Sequence, residues 1–335
     1  MDRIEFYNYW ESLGEDDLAG TDIAEIQLRL SEGLPGAEDI VRLDLLQTLD
    51  EWARVVETST QRWIIQYEQN PAKYEYSIAK FRALCMVIVI QRDLGIKYNM
   101  AFMEGPYDAT DSRNNLLHGP LTGFGGTCAT LPFLYAAIGR RLGYPLYIVA
   151  TRQHLFVRWD DGCGERFNFE TAGRGFEPRT DDDYREWIQT TDAEEQSGGF
   201  FSNFSRRREL ACTLTHRGRC LMDNWRFASA VMCFRCAALI DEHERGAWAM
   251  ATMVHRMVLS LGPGGICLDT PTEELVARAR QPVNNKWQEW AVAEGEEHFR
   301  RIIELHRQNW RHAVCQPRDT FFARLGSPDT TPATR

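Results

Sequence analysis

Residues 126–159 read GTCATLPFLYAAIGRRLGYPLYIVATRQHLFVRW, and this stretch decides the fold predicted for the chain. Its first half has apolar side chains on one face of a helix, which a Gly and a Pro then end: Leu131, Leu134, Tyr135, Ile138 and Leu142. Pro132 fits only the first turn of a helix, so either Thr127 or Thr130 is the N-terminal cap. In both cases Cys128 lies at or just before the start of the helix.

Three strands are predicted after this helix, over residues 146–151, 154–159 and 166–170. The Asp-Asp-Gly turn at residues 160–162 joins the second strand to the third as a hairpin. Alternate residues of a strand share a face, so Asn168 and Glu170 point to the same side of the third strand. Either of them is therefore within reach of His154 on the neighbouring strand.

Two polar stretches border this segment. Residues 100–127 are rich in Gly, Pro, Asp and Asn and are predicted to form a long loop. Loops of this length inside a compact domain are uncommon and tend to carry function. Residues 174–204 are also polar and are predicted to be the linker by which the chain leaves this segment.

Helices are predicted on both sides. Residues 1 to about 100 have apolar side chains at helical spacing, as at Leu45, Leu49, Trp52 and Val56. From residue 205 onward, helices are predicted over 206–222, 225–240 and 245–260, either as tetratricopeptide-like pairs or as a plain bundle. A capping box at Thr270-Pro271-Thr272-Glu273 marks a further helix start, and a long helix is predicted over 284–312.

Composition places the chain among ordinary globular proteins. Its 335 residues are 44% hydrophobic and 26% charged, and this length suggests about two domains. The net charge of −10, without a long basic stripe, argues against nucleic acid and against an anionic membrane as partners. The most apolar run, 84–90, is too short to span a bilayer, and the acidic N-terminus lacks a secretory signal. We therefore expect a cytoplasmic protein with nine free thiols.

Cys128 is the candidate nucleophile. A cysteine at a helix N-terminus lies near unpaired N–H groups and the positive end of the helix dipole, which favour the thiolate. The two preceding glycines let a substrate backbone approach closely. His154 is the candidate base, and Glu170, with Asn168 in reserve, is the candidate group that orients its imidazole. This order of residues is typical of nucleophile, base and orienter in acyl transfer.

The same residues resemble a known family. The stretch 126–159, followed by ERFNFET at 165–171, is similar to the transglutaminase-like fold, in particular to its bacterial members. The family's cysteine falls on Cys128 and its histidine on His154. The family's acid is usually an Asp before a small residue and a Thr, whereas here Glu170 precedes a Thr and an Ala. The resemblance covers residues 110–175.

The resemblance implies acyl chemistry that needs no metal or organic cofactor. Cys128 would attack an amide or ester carbonyl, His154 would shuttle the proton, and Glu170 would fix the tautomer of the imidazole. The thioacyl intermediate would then pass to water or to an amine. We expect hydrolysis of a peptide or side-chain amide in a protein or peptide substrate.

An oxyanion hole is also implied. The backbone N–H of Cys128 is one natural donor. The second donor remains open among three residues of the preceding loop: Asn114, Asn115 and His118.

The expected architecture is α+β, with a transglutaminase-like, papain-like core between helical regions. We predict an N-terminal helical region at 1–100, the core at 101–200, a C-terminal tetratricopeptide-like helical region at 201–315 and a disordered tail at 316–335. The flanking helices are reminiscent of bacterial proteins that append such helices to this core.

Two alternatives come from other classes. The core could be catalytically idle, with the C-terminal helices binding a partner protein as a scaffold. A zinc-stabilised interaction module could instead use the thiols of the C-terminal region, with His216 nearby: Cys212, Cys220, Cys233 and Cys236. Against zinc, all of these residues fall in a helical pattern, where their thiols serve helix packing.

Overall fold

The computed structural model describes residues 3–101, 108–152, 154–244 and 250. The first part of the chain is helical, as predicted. It contains α1 (Arg3–Ser12), α2 (Glu15–Ala19), α3 (Ile23–Ser31), α4 (Arg42–Gln69) and α5 (Ile78–Ile88). A 3-10 turn at Pro71–Tyr74 connects α4 to α5, and a π-helical turn at Val89–Asp93 extends α5.

The segment predicted as a long loop contains two short helical turns. They are a 3-10 turn at Ser112–Asn114 and α6 (His118–Leu121). The Asp111 side chain accepts the backbone N–H of Arg113 at 2.9 Å and so caps the first turn. Gly119 allows the two turns to touch, because a Cβ on this residue would lie 2.0 Å from the backbone oxygen of Arg113.

The central helix is α7 (Leu131–Arg141), and a four-stranded sheet follows it. The strands are β1 (Leu146–Thr151), β2 (His154–Asp160), β3 (Arg166–Phe169) and β4 (Pro178–Arg179). They lie in the order β1-β2-β3-β4 and all pair antiparallel. The mixed α+β class predicted from the sequence is confirmed, and the three longer strands lie within one residue of their predicted bounds.

The sheet is covered on both faces. On one face, α7 joins α4, α5 and the strands in the main hydrophobic cluster, which includes Phe133, Ile138, Val157 and Phe169. These side chains are buried because apolar residues alternate along the strands and recur at helical spacing along α7. The opposite face carries a smaller cluster built on Phe156.

The polar segment predicted as a linker is folded. It forms α8 (Asp181–Ile188) and α9 (Asp192–Gly198), and each begins with a capping box, Thr180 with Asp183 and Thr191 with Glu194. Tyr184 of α8 stacks on Phe156 of β2 at 3.9 Å between ring centroids. This helix therefore covers the second face of the sheet.

Two more helices follow, α10 (Arg206–Asp223) and α11 (Phe227–Ile240), near their predicted bounds. They pack against each other and against α1 in a second hydrophobic cluster. The helix predicted over 245–260, the capping box at Thr270, the helix predicted over 284–312 and the tail at 316–335 lie outside the described residues. Among the described residues, no helix combines the length and the apolarity needed to cross a membrane.

Candidate active site

Cys128 lies in a tight turn immediately before α7. The structure selects Thr130 as the residue at the N-cap position, and its Oγ1 accepts the backbone N–H of Thr127 at 2.8 Å. Thr127 Oγ1 in turn accepts the N–H of Ala129 and donates to the backbone oxygen of Asn114. The hydroxyls on both sides of Cys128 thus fix its backbone, and its side chain is only half-buried.

The glycine before this turn is held by a strand-like pairing with residues 97–99. Gly126 N–H donates to the oxygen of Lys97 at 2.9 Å, and Asn99 N–H donates to the oxygen of Gly126 at 2.8 Å. A Cβ on Gly126 would meet the side chain of Leu131 at 2.3 Å. From the sequence, the missing side chain of this glycine is expected to make room for substrate. The space is filled instead by Leu131 of the protein's own helix α7.

His154 begins β2, and its side chain is fully buried. Its Nε2 lies 2.7 Å from Oε2 of Glu170, the residue immediately after β3. Glu170 is itself held in place, because its Oε1 accepts the backbone N–H of Ala172 at 2.8 Å and its Oε2 accepts the hydroxyl of Tyr184 at 3.5 Å. The carboxylate is therefore fixed in position before any substrate arrives.

Cys128 completes the group. Burial lowers the pKa of His154, but the charge of Glu170 and the hydrogen bonds with Cys128 and Glu170 outweigh it and raise this pKa to about 10. Because Nε2 faces Glu170, Nδ1 is the ring nitrogen that remains for Cys128. The structure thus brings Cys128, His154 and Glu170 into one site, in the order that the sequence suggested.

Asn168 occupies a different network. It lies on the same face of the sheet as His154, as expected, but it pairs with Arg158. Arg158 Nε donates to Asn168 Oδ1 at 2.7 Å, and Asn168 Nδ2 donates to Asp181 Oδ1 at 2.7 Å. The amide therefore ties β2 and β3 to the start of α8, and the structure brings Glu170, rather than Asn168, to the imidazole.

Aromatic side chains of α8 cover the imidazole. Trp187 lies edge-on to the His154 ring at 5.1 Å between centroids, and Tyr184 is stacked at 6.3 Å. This low-dielectric cover strengthens the interaction of His154 with Glu170. Sequence reasoning missed both residues because they lie in the polar segment 174–204. The capping box at Thr180 was the signal that could have found them.

The three candidate oxyanion donors are buried. Asn114 Nδ2 donates to the oxygen of Asp108 at 3.0 Å. His118 lies 3.0 Å from Ser112 Oγ and is fully buried, which lowers its pKa to about 4. Asn115 is fully buried as well. The side chains of Asn114 and His118 thus form hydrogen bonds within the segment that precedes Cys128.

Tyr98 also lies against Cys128. Its hydroxyl accepts the backbone N–H of Cys128 and also forms a hydrogen bond with the Cys128 side chain. Burial raises the pKa of Tyr98 well above its ordinary value, and the nearby negative charges of Cys128 and Glu170 raise it further. No local sequence pattern indicates this contact, because it depends on the pairing of residues 97–99 with Gly126.

The thiols considered for zinc lie in several separate places. Cys233 Sγ lies 3.1 Å from the hydroxyl of Tyr7, and Cys212 Sγ lies 4.0 Å from Nε2 of His216. Cys220 contacts the backbone oxygen of Thr110 instead. Within the described part of the chain, no group of three or more His, Cys, Asp or Glu side chains is placed to hold a metal ion.

Comparison with known proteins bears on this site. Residues 44–199 match the sequence profile of the transglutaminase-like superfamily, and this range contains Cys128, His154 and Glu170. No curated protein and no solved structure matches the chain. The matched range extends from the first turn of α4 to the end of α9 and so includes the whole sheet. Residues 44–199 of this chain therefore form a transglutaminase-like domain of mixed α+β structure.

Proposed function

We propose that this protein is a cysteine-dependent acyl-transfer enzyme that hydrolyses a peptide or side-chain amide. The observation that carries the proposal is the position of His154, between the carboxylate of Glu170 at 2.7 Å and the side chain of Cys128. A thiol that can pass its proton to a held imidazole is an activated nucleophile.

The proposed reaction has two steps. Cys128 Sγ attacks the carbonyl carbon of the amide, the C–N bond breaks, and the leaving amine takes a proton from His154. Water then attacks the thioester, gives a proton to His154, and the C–S bond breaks to release the acid and the thiol. Glu170 stabilises the imidazolium in both steps and keeps the ring in place.

The developing oxyanion needs donors beside Cys128. The Cys128 N–H is one, and we propose that the hydroxyl of Tyr98 is the second. In the absence of substrate, the hydroxyl oxygen itself receives the Cys128 N–H. A carbonyl oxygen that takes this N–H would lie within reach of the Tyr98 O–H, so both donors would converge on it.

Water is the acceptor that we propose, because hydrolysis requires no second binding site for an amine. The fixed triad would serve an amine equally well. Product analysis distinguishes them: hydrolysis releases a free carboxylic acid, and transamidation in the presence of a primary amine releases a new amide.

Alkylation of Cys128 tests the activated pair directly. The full chain is treated with iodoacetamide between pH 5 and pH 9, and each cysteine is followed by peptide mass spectrometry. Cys163, which is exposed at the β2–β3 turn, is the internal control, and His154→Ala is the matched variant. We expect fast labelling of Cys128 at pH 6 that is lost in the variant. Labelling of Cys128 that follows Cys163 at every pH would contradict the proposal and favour an idle core.

A further inference from the structure

A cavity of about 270 Å³ lies directly beside the candidate triad. Tyr98, which contacts Cys128, forms part of its wall, and Thr171, which follows Glu170, forms another part. Leu131, in the first turn of α7, also lines the cavity. The side chain of Tyr98 thus borders both the cavity and the thiol.

The inner wall of the cavity is apolar and firmly held. Leu131 and Tyr135 are almost completely buried. Gln91 fixes the opposite side, because its Nε2 donates to the oxygen of Gly173 at 3.1 Å and its Oε1 accepts the N–H of Gly175 at 2.8 Å. A pocket with an apolar interior and few polar groups at its edge is the usual form of a small-molecule site.

The mouth of the cavity is cationic. Arg92, Lys97 and Arg174 line it, and among the described residues of the lining there is no Asp or Glu. Arg92 forms an ion pair with Asp93 and lies over the ring of Trp63. Lys97 and Arg174 are exposed, and among the described residues neither has a carboxylate within ion-pair distance. In a chain with a net charge of −10, this concentration of positive charge selects for an anionic ligand.

We propose that this cavity binds the acyl donor, and that the donor carries a carboxylate on a short apolar stem. The stem packs against Leu131 and Tyr135, the carboxylate meets Lys97 and Arg174, and the reacting carbonyl faces Cys128. This inference rests on the proposed acyl-transfer function for the identity of its ligand. The binding site itself can be tested without catalysis.

The first experiment compares two matched donors on the full chain: the mono-4-nitrophenyl ester of glutaric acid, and its methyl, 4-nitrophenyl diester. Acylation of Cys128 is followed by nitrophenolate release and by intact mass, relative to the uncatalysed rates. We expect the free carboxylate to be preferred about 2- to 5-fold, as one exposed and screened ion pair supplies. The preference should disappear in Lys97→Gln/Arg174→Gln and persist in Arg54→Gln, an exposed arginine of α4. Equal acylation by both donors would overturn the proposal.

The second experiment measures binding alone. Glutaric acid monoanilide and its methyl ester are titrated calorimetrically into the Cys128→Ala protein. We expect the free acid to bind more tightly than the ester, and this preference should be lost when Lys97→Gln and Arg174→Gln are added to Cys128→Ala. That result supports the cavity as the binding site even if no acyl-enzyme ever forms. Acylation of Cys128 without such binding contradicts the cavity and leaves the acyl-transfer function in place. The absence of both results overturns the cavity proposal, and the alkylation profile of Cys128 then decides separately on the acyl-transfer function.

Discussion

Glu170 Oε2 lies 2.7 Å from His154 Nε2, and both groups are held by contacts that do not involve substrate. The imidazole is fully buried, so the carboxylate is the main group that keeps it charged. The charge of His154 therefore depends on folding, because only the folded protein holds Glu170 beside the imidazole. This relationship leads to the first prediction.

Stability should fall as the pH rises through the neutral and alkaline range. The pKa of His154 is raised from 6.5 to about 10 in the folded protein, so the folded state binds a proton that the unfolded state has lost. The stabilisation is fully present below about pH 6.5 and is lost as the pH approaches 10. In Glu170→Gln this loss should shrink. Urea unfolding between pH 6 and pH 10 checks it, with the difference between the two proteins as the readout. Parallel pH profiles would be the contrary result.

Substitutions of Glu170 and Asn168 should have different effects, the first on the acylation rate and the second on the free energy of unfolding. Glu170→Gln should lower the rate of Cys128 acylation by about 10²-fold or more, since it removes the group that stabilises the imidazolium. Asn168→Ala breaks the buried bonds to Arg158 and Asp181 and should cost about 1–3 kcal/mol of unfolding free energy. Acylation kinetics and denaturant titration on both variants check this. If folded Asn168→Ala lost as much activity as Glu170→Gln, the assignment of the orienting role to Glu170 would be wrong.

Tyr98→Phe should distinguish the acyl-transfer step from simple alkylation. Without the hydroxyl, one proposed oxyanion donor is lost, and the acylation rate with the glutaric acid monoester should fall about 10²-fold. Alkylation by iodoacetamide forms no oxyanion, so its rate at Cys128 should change much less, through the loss of the single hydrogen bond between Tyr98 and the Cys128 side chain. Stopped-flow acylation and mass-spectrometric labelling give the two rates. An equal effect on both rates would indicate that Tyr98 acts on the thiol itself.

The turns that support Cys128 should not tolerate a side chain at Gly119. A Cβ there would lie 2.0 Å from the oxygen of Arg113, which is a backbone atom that cannot turn aside. Gly119→Ala should therefore cost about 1–3 kcal/mol of unfolding free energy. Gly20→Ala is the matched control, because it ends α2 with no atom within 4 Å of the added Cβ. Thermal unfolding compares them, and similar melting temperatures would show that the turns separate freely.

Much of the fold near the site could be predicted, because local patterns determine it. The apolar spacing of α7 and the alternation in β2 and β3 place His154 at the start of β2, Cys128 just before α7 and Glu170 just after β3, and the structure confirms these three elements. The catalytic roles of these residues stay predictions.

The features that the sequence did not predict depend either on contacts between distant segments or on a small number of buried residues. The sequence of α8 indicates a linker because only two of its eight residues, Tyr184 and Ile188, are buried, and its acidic first turn resembles a solvated charge run. The contact of Tyr98 with Cys128 joins segments that no local periodicity connects.

The antiparallel register of β2 and β3 makes the site sensitive to the length of the turn between these strands, although this turn contains no candidate catalytic residue. Val157 pairs with Phe169, so Glu170 reaches the imidazole only in this alignment of the two strands. A shift of β3 by one position would turn Glu170 to the opposite face of the sheet. Residues 161–165 therefore set the geometry of the charge pair by their number, and insertions there should be tolerated only where β3 keeps its alignment with β2.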